Sequence, residues 1–240
     1  MWGPLHALLS LLYPEGCPLC GRPLDAGCRA GVCSCCWSEV RGSRGSRCLR
    51  CGLAFEAEWG GASPICLGCA RRPPAFDAGF SFGPYAGRLA GALRLLKYAG
   101  MPRIASPLAD AILSDRGAAD FLAGAEILAP VPLHPRRLRE RGHDQAALLA
   151  QALGARLRRP VSPLLRRARA TPPQVGLTAR ERRRNLRGAF RLARTAGRAR
   201  GRIVCLVDDV WTTGSTLEEA ARALRPARPA AILVFSAARA

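Results

Sequence analysis

Apolar residues follow three patterns along the chain, and each predicts a different kind of structure. Leu5, Leu8, Leu9 and Leu12 recur at helical spacing ahead of Pro14, which predicts a short amphipathic helix over residues 1–15. Residues 16–72 have no sustained apolar period and are rich in Cys, Gly and Arg, so this segment has little from which to build a core unaided. After Pro73-Pro74 the pattern changes. From about Phe76 to Ala240, short apolar runs alternate with helical periods, the signature of an α/β domain.

Within that domain, Phe80–Tyr85 reads as a strand leading into a turn. Leu89, Ala90, Leu93 and Leu96 place a helix over 87–98, and a second is expected over 107–113. Glu126–Val131 reads as a buried strand ending at Pro132, followed by a helix over 143–157. Val161–Leu165 is a weak strand because Pro163 interrupts it. Ile203–Val207 is apolar and β-branched enough for a central strand. A helix should open at Thr213 or Gly214 and run to about Leu224, and a last strand is expected over 230–235.

Hydrophobic residues make up 49% of the 240 residues, enough to bury a core. The net charge of +20, carried by 36 Arg and one Lys (37 in all), points to polyanionic partners without choosing among phosphorylated small molecules, nucleic acid and acidic proteins. The same Arg-for-Lys bias also has a compositional reading, which the sequence leaves open beside the functional one. The apolar run at the N-terminus has no preceding positive residue and no clear cleavage site, and no stretch approaches the length of a membrane span. The expected setting is the cytoplasm, with reduced cysteines.

Ten of the 11 Cys lie between Cys17 and Cys69, and eight of them form Cys-x-x-Cys pairs: Cys17/Cys20, Cys33/Cys36, Cys48/Cys51 and Cys66/Cys69. Each pair can bend into a knuckle that offers two thiolates, and two knuckles complete a tetrahedral Zn²⁺ site. Gly21 and Gly52 follow the second Cys of their pairs, where the turn tightens. Sequential pairing is the simplest and gives two zinc ribbons with two structural zincs; the spacing does not exclude a crossed pairing. Cys28 and Cys35 fall outside the pattern.

Asp208-Asp209, followed by Thr212-Thr-Gly-Ser-Thr216, carries the most specific chemistry. Hydroxyls and backbone N–H groups at a helix N-terminus form a nest for a phosphate monoester, and Gly214 allows close approach of the backbone. The adjacent carboxylates of Asp208 and Asp209 suit the cis hydroxyls of a ribose, directly or through Mg²⁺. Acids would repel a bare polyphosphate, and the lysine of a nucleoside-triphosphate loop is missing, so the ligand reads as a sugar phosphate. A capped helix would explain one Ser or Thr but not this combination.

Val204–Leu217 resembles the motif that binds 5-phosphoribosyl pyrophosphate (PRPP) in type I phosphoribosyltransferases. Together with the double zinc ribbon, the chain resembles the ComF family, bacterial proteins linked to DNA uptake in natural competence. Residues 130–142 and 174–190 carry further likeness, while His143-Asp144 stands where the family usually has Phe-Asn before Gln145. The resemblance implies a type I phosphoribosyltransferase fold, a parallel sheet flanked by helices. It implies PRPP at Asp208, Asp209, Thr212, Thr213, Gly214, Ser215 and Thr216, with the two acids as catalytic candidates, and Mg²⁺ bound with it. It also makes the loop after Val131 a pyrophosphate loop, in which Arg136 and Arg141 are the chosen contacts, and residues 166–187 a catalytic loop, with Arg180, Arg182, Arg183, Arg184 and Arg187.

Between Arg136 and Arg202 there are 20 Arg against three acids, Glu140, Asp144 and Glu181, more than one PRPP needs. Single-stranded DNA is therefore a second candidate partner, although Phe190 is the sole aromatic there to stack a base. Trp37 and Trp59 read as packing residues, Lys97 as a surface lysine near the site, and His134 and His143 as structural. Three functions are compatible with these residues: Mg²⁺-dependent phosphoribosyl transfer to an unidentified acceptor, a DNA-uptake factor that senses PRPP or grips DNA without turnover, and a scaffold whose ribbons bind a competence-machinery protein.

Overall fold

The central sheet has four strands, all parallel, in the order Ala78–Pro84, Ala231–Arg239, Ile203–Trp211, Ile127–Pro130. The structure is a computed structural model that describes residues 16–55, 64–169 and 186–240. The helix expected over 1–15, Trp59, and Arg180, Arg182, Arg183 and Arg184 lie outside these residues. Among the described residues the strands are β1 (Ala78–Pro84), β2 (Ile127–Pro130), β3 (Leu165–Arg167), β4 (Phe190–Leu192), β5 (Ile203–Trp211) and β6 (Ala231–Arg239). The α-helices are α1 (Ser34–Ser38), α2 (Leu67–Arg71), α3 (Gly87–Tyr98), α4 (Ala105–Leu113), α5 (Arg116–Ala123), α6 (Pro135–Arg141), α7 (Gln145–Leu157) and α8 (Ser215–Leu224). None is long and apolar enough to cross a membrane.

Strand β5 shows why the sheet is buried on both faces. Successive side chains of a strand point to opposite sides. Cys205 and Val207 join a core built with Leu93, Leu108 and Leu149 of α3, α4 and α7, whereas Val204 and Leu206 join one built with Leu217, Ala221 and Leu224 of α8. Apolar residues are needed at every position, which gives the continuous run read as a central strand. The strand is longer than the run: pairing of Asp208 with Ser236, Val210 with Ala238 and Trp211 with Arg239 continues it to Trp211. Val161 makes only a bridge to Leu128, and the expected strand over 161–165 is replaced by the antiparallel β3–β4 pair.

The cysteine-rich segment is docked onto the sheet's β1 edge. Ser43 N–H donates to the Phe82 carbonyl at 2.7 Å, and the Arg47 guanidinium donates to the Ser81 carbonyl at 2.8 Å while lying 4.2 Å over the Phe80 ring. These contacts cover polar backbone that an edge strand would otherwise expose. Cys17, Val32, Cys33 and Cys36 belong to the same core as Phe82 and Leu93, and Cys48, Cys51 and Cys69 to the same core as Phe76 and Trp211.

Candidate functional site

The eight paired cysteines form two tetrads in sequential order, Cys17/Cys20/Cys33/Cys36 and Cys48/Cys51/Cys66/Cys69, with the four sulfurs of each lying within 4.8 Å of one another. The pairs therefore do not cross. Sulfur–sulfur distances are 3.8 Å for Cys17–Cys36 and 3.7 Å for both Cys20–Cys33 and Cys51–Cys66. A tetrahedron of thiolates about 2.3 Å from Zn²⁺ has edges of roughly 3.8 Å, whereas a disulfide is about 2.05 Å long. Two structural zincs fit.

The thiols also behave as a set that needs a cation. Burial opposes ionisation of Cys17, but N–H groups at Cys33, Leu19 and Cys20 outweigh it and bring the thiol down to about 6. Cys36, buried beside its sulfur neighbours, is pushed far up instead. Cys48 and Cys69 repeat the contrast in the second tetrad, with Cys48 lowered to about 7. Four thiolates so close together repel one another unless Zn²⁺ neutralises them. With all four positions filled by sulfur, no place is left for a substrate. Cys28 and Cys35 stand outside the tetrads, and Cys205 is buried in the sheet.

The sugar-phosphate segment lies at the carboxyl end of β5, where open parallel sheets bind ligands. Asp208 is partly buried and its Oδ1 accepts the Asp209 N–H at 2.9 Å. Burial first, and then the charge of Asp209, push its carboxyl up to about 8. Asp209 is 5% exposed; its Oδ1 accepts the Val210 N–H at 2.7 Å and its Oδ2 lies 2.9 Å from Lys97 Nζ. Lys97 is therefore no surface lysine. The last turn of α3 delivers it into the site, and its side chain is only 14% exposed. Burial works against its charge, but Asp209 and Asp208 more than compensate and raise its pKa.

Asp208, Asp209, Thr212 and Thr216 line a cavity of about 540 Å³, which they share with Lys97 and Gln145. Arg137, Arg141 and Arg167 line it too. Burial and then the nearby Arg137 lower the pKa of Arg167, against the opposite pull of Asp208. Arg141 also lies 5.2 Å over the exposed Tyr98 ring. Arg136 is not in the lining: it pairs at 3.0 Å with Glu140, which is, and its side chain is 77% exposed. The Gln145 side-chain oxygen is buried with no hydrogen-bond partner among the described residues.

The remaining loop residues, Thr213, Gly214 and Ser215, border a second cavity of about 260 Å³ shared with Cys51, Cys66 and Cys69. The loop is thus a partition between the first cavity and the second ribbon. Thr213 and Ser215 hydroxyls lie 3.0 Å apart, and no side chain caps α8. Gly214 has a φ of +76°, and a Cβ there would lie 2.6 Å from Trp211 Nε1, so conformation and space both demand glycine. Trp211 is held from behind by Arg239, which lies 4.5 Å over its ring and donates to the Cys51 carbonyl at 3.0 Å.

A model described as a double zinc ribbon domain matches residues 8–70, and one described as a phosphoribosyl transferase domain matches residues 144–240. DNA utilization protein YhgH of Escherichia coli (strain K12) is 35% identical over 229 residues, which cover 94% of this chain and 97% of that protein. Competence protein F of Haemophilus influenzae is 34% identical over 216 residues, 88% and 91% of the two chains. The chain belongs to the ComF family.

The sheet of this ComF-family chain starts upstream of the matched transferase segment, because β1 and β2 pair with β6 and β5. The His143-Asp144 departure also has a structural account. Asp144 caps α7, accepting the Ala147 N–H at 3.0 Å with one oxygen and the Leu133 N–H at 3.1 Å with the other, which ties the helix to the loop after β2. A His143 ring nitrogen bonds the Leu96 carbonyl, one residue before Lys97. Lys97, Arg137, Arg167 and Gln145 are the cavity residues that sequence reasoning did not select. A single lysine among 36 arginines was the one available signal, because the helix period alone places Lys97 at an unremarked end.

Proposed function

We propose that the chain binds PRPP with Mg²⁺ in the cavity at the carboxyl end of β5 and acts in the handling of incoming DNA. The observation that carries the ligand reading is the grouping of opposite chemistries in one cavity: Asp208 and Asp209 beside Thr212 and Thr216, with Arg137, Arg141 and Arg167 in the same lining. In this reading the first turn of α8 and the 212–216 loop take the 5-phosphate, the acids take the ribose hydroxyls, and the arginines take the diphosphate. Arg141 serves as the sequence expected, and Arg137 and Arg167 replace the exposed Arg136. Asp208 and Asp209 are the oxygen donors that would hold Mg²⁺, which when bound neutralises charge on the departing diphosphate. The DNA role rests on the names carried by the two relatives and on the +20 charge, for which single-stranded DNA is the polyanion of choice. We place the protein in the cytoplasm, where thiols remain free for zinc.

Calorimetry with PRPP and Mg²⁺ tests the ligand. Wild type should bind below millimolar PRPP, and an Asp208→Ala, Asp209→Ala variant should not; absence of binding to wild type ends the reading. Release of pyrophosphate on adding candidate acceptors separates transfer from sensing. Affinity for single-stranded DNA should fall steeply as salt rises, and a flat response would remove DNA as a direct partner.

A further inference from the structure

We propose that Arg239 is a positioning residue through which the second zinc ribbon holds the 212–216 loop in its phosphate-binding shape. A sugar phosphate on the loop and zinc at Cys48/Cys51/Cys66/Cys69 then strengthen each other's binding. The inference rests on the sugar-phosphate reading of the site and gives the second ribbon a part in it that the first does not share.

The link begins at the zinc ligands. Arg239, at the end of β6, donates from Nη1 to the Cys51 carbonyl at 3.0 Å, and both of its terminal nitrogens lie 3.8 Å from Cys51 Sγ. A zinc-bound thiolate is an anion, so these N–H···S contacts are charge-assisted and help to orient the metal ligand. The same guanidinium lies 4.5 Å over the Trp211 ring. Trp211 ends β5, one residue before Thr212, and is 4% exposed. Its ring is boxed in. Phe76 meets it edge-on at 5.6 Å, a Cβ on Gly79 would lie 3.1 Å from it, and one on Gly214 would lie 2.6 Å from its Nε1.

With so little slack around the ring, Trp211 passes the position of Arg239 on to Gly214. A second route reaches the same ring, because Gly52, next to Cys51, abuts Gly79, where a Cβ would lie 2.3 Å from the carbonyl oxygen. The loop depends on this outside support. No side chain caps α8, and glycine permits the φ of +76° at Gly214 without enforcing it. Cys51, Cys66 and Cys69 line one cavity together with Thr213, Gly214 and Ser215. The first tetrad has no such link: its cysteines pack in the other core, with Phe82 and Leu93, and line neither this cavity nor the one that holds Asp208.

The test challenges the zinc-loaded protein with a zinc-selective chelator and iodoacetamide, with and without ribose 5-phosphate. Mass spectrometry of the alkylated peptides reads each tetrad separately. A ligand that binds only the closed form slows opening by one plus the ratio of its concentration to its Kd. At about ten times that Kd, ribose 5-phosphate should therefore slow zinc loss from the second tetrad roughly five- to tenfold. Loss from the first, which opens independently of the loop, should change by no more than about twofold. Arg239→Met keeps the stem but loses the guanidinium. It should bind ribose 5-phosphate roughly tenfold more weakly and, by reciprocity, show less than about twofold protection at ten times its own Kd. Arg116→Met, the same loss of charge at a side chain 96% exposed on α5, should match wild type in both. Equal protection of the two tetrads would mean general stabilisation of the fold and would overturn the proposal. So would no protection of either, or wild-type affinity and protection in Arg239→Met. Failure of wild type to bind ribose 5-phosphate in calorimetry would instead refute the sugar-phosphate reading beneath it. The comparison of tetrads in wild type needs no substitution, so it decides even if Arg239→Met folds poorly.

Discussion

Gly21 and Gly52 hold equivalent places in the two ribbons, each just after the second cysteine of a knuckle, and substitution of each by Ala should have unequal effects. Both have a left-handed backbone, with φ of +75° and +64°. A side chain in that region costs about 1–2 kcal/mol, partly offset by a stiffer unfolded chain, so about 1 kcal/mol is common to the two variants. The surroundings differ. A Cβ on Gly21 meets nothing within 4 Å, whereas one on Gly52 would lie 2.3 Å from the Gly79 carbonyl oxygen and 2.7 Å from Phe80 Cα, both backbone atoms of β1. Overpacking adds roughly 1–3 kcal/mol, for a total of about 2–4 kcal/mol. At about 2–4 °C per kcal/mol for a chain of this size, Gly21→Ala should lower the melting temperature by a few degrees and Gly52→Ala by about 4–16 °C. Circular dichroism melts of the zinc-loaded proteins read the difference, with zinc content checked on each. Equal shifts for the two variants would refute direct seating of the second ribbon on β1.

Three further outcomes follow from the same geometry. Cys36→Ser should reduce zinc from about two to about one per chain by metal analysis and destabilise the protein more than Gly52→Ala, because a structural zinc contributes on the order of 10 kcal/mol to folding; retention of two zincs would contradict the first tetrad. Gly214→Ala should weaken PRPP binding at least roughly tenfold and cost about 2–4 kcal/mol of stability, since φ and the Trp211 contact are both violated; unchanged affinity would remove the loop from the site. Burial, its largest influence, holds the Asp144 carboxyl above its usual value of 3.8 despite its backbone partners. Its folded state therefore takes up protons more readily than its unfolded state, so the burial cost is absent below that value and complete above the raised folded one. The melting temperature of Asp144→Asn minus that of wild type should rise as pH increases through that window, whatever constant amount the lost Leu133 bond subtracts; a flat or falling difference would show that Asp144 is not strained by its charge.

Much of the site was legible because its signals are local. Knuckle spacing and the Asp208–Thr216 segment each need only a few consecutive residues, although Asp208 and Asp209 lie within β5 rather than after it and the helix opens at Ser215. The α/β alternation was readable for the same reason, through buried runs such as Ile203–Val207. What the sequence withheld depends on partners far along the chain. Lys97 sits at the end of an ordinary amphipathic helix, and only the packing of α3 on the sheet at β1 brings it to Asp209. Arg167 comes from a three-residue strand defined by its pairing with β4, and one arginine in a run of arginines carries no directional signal. Likewise α6, over a segment read as a loop, brings Arg137, Glu140 and Arg141 into the lining and leaves Arg136 paired with Glu140 at its rim. Strand β5 outran its apolar run because β6 supplies partners as far as Arg239.

The bond from Arg239 to Cys51 joins residues 188 positions apart. During synthesis the second ribbon emerges early, but the arginine that braces it, the Trp211 it stacks on and the β6 strand beside β1 emerge near the end. Until then the ribbon has only β1 to lie against, without the strand that pairs with it. Contacts of such long range close late, after their loop entropy has been met, so metal capture and sheet completion are separate events in time. A ribbon that closed around zinc on its own would reach the last strand already shaped to receive it. One still open would leave its thiols, and the uncovered β1 edge, exposed to other chains for the whole interval.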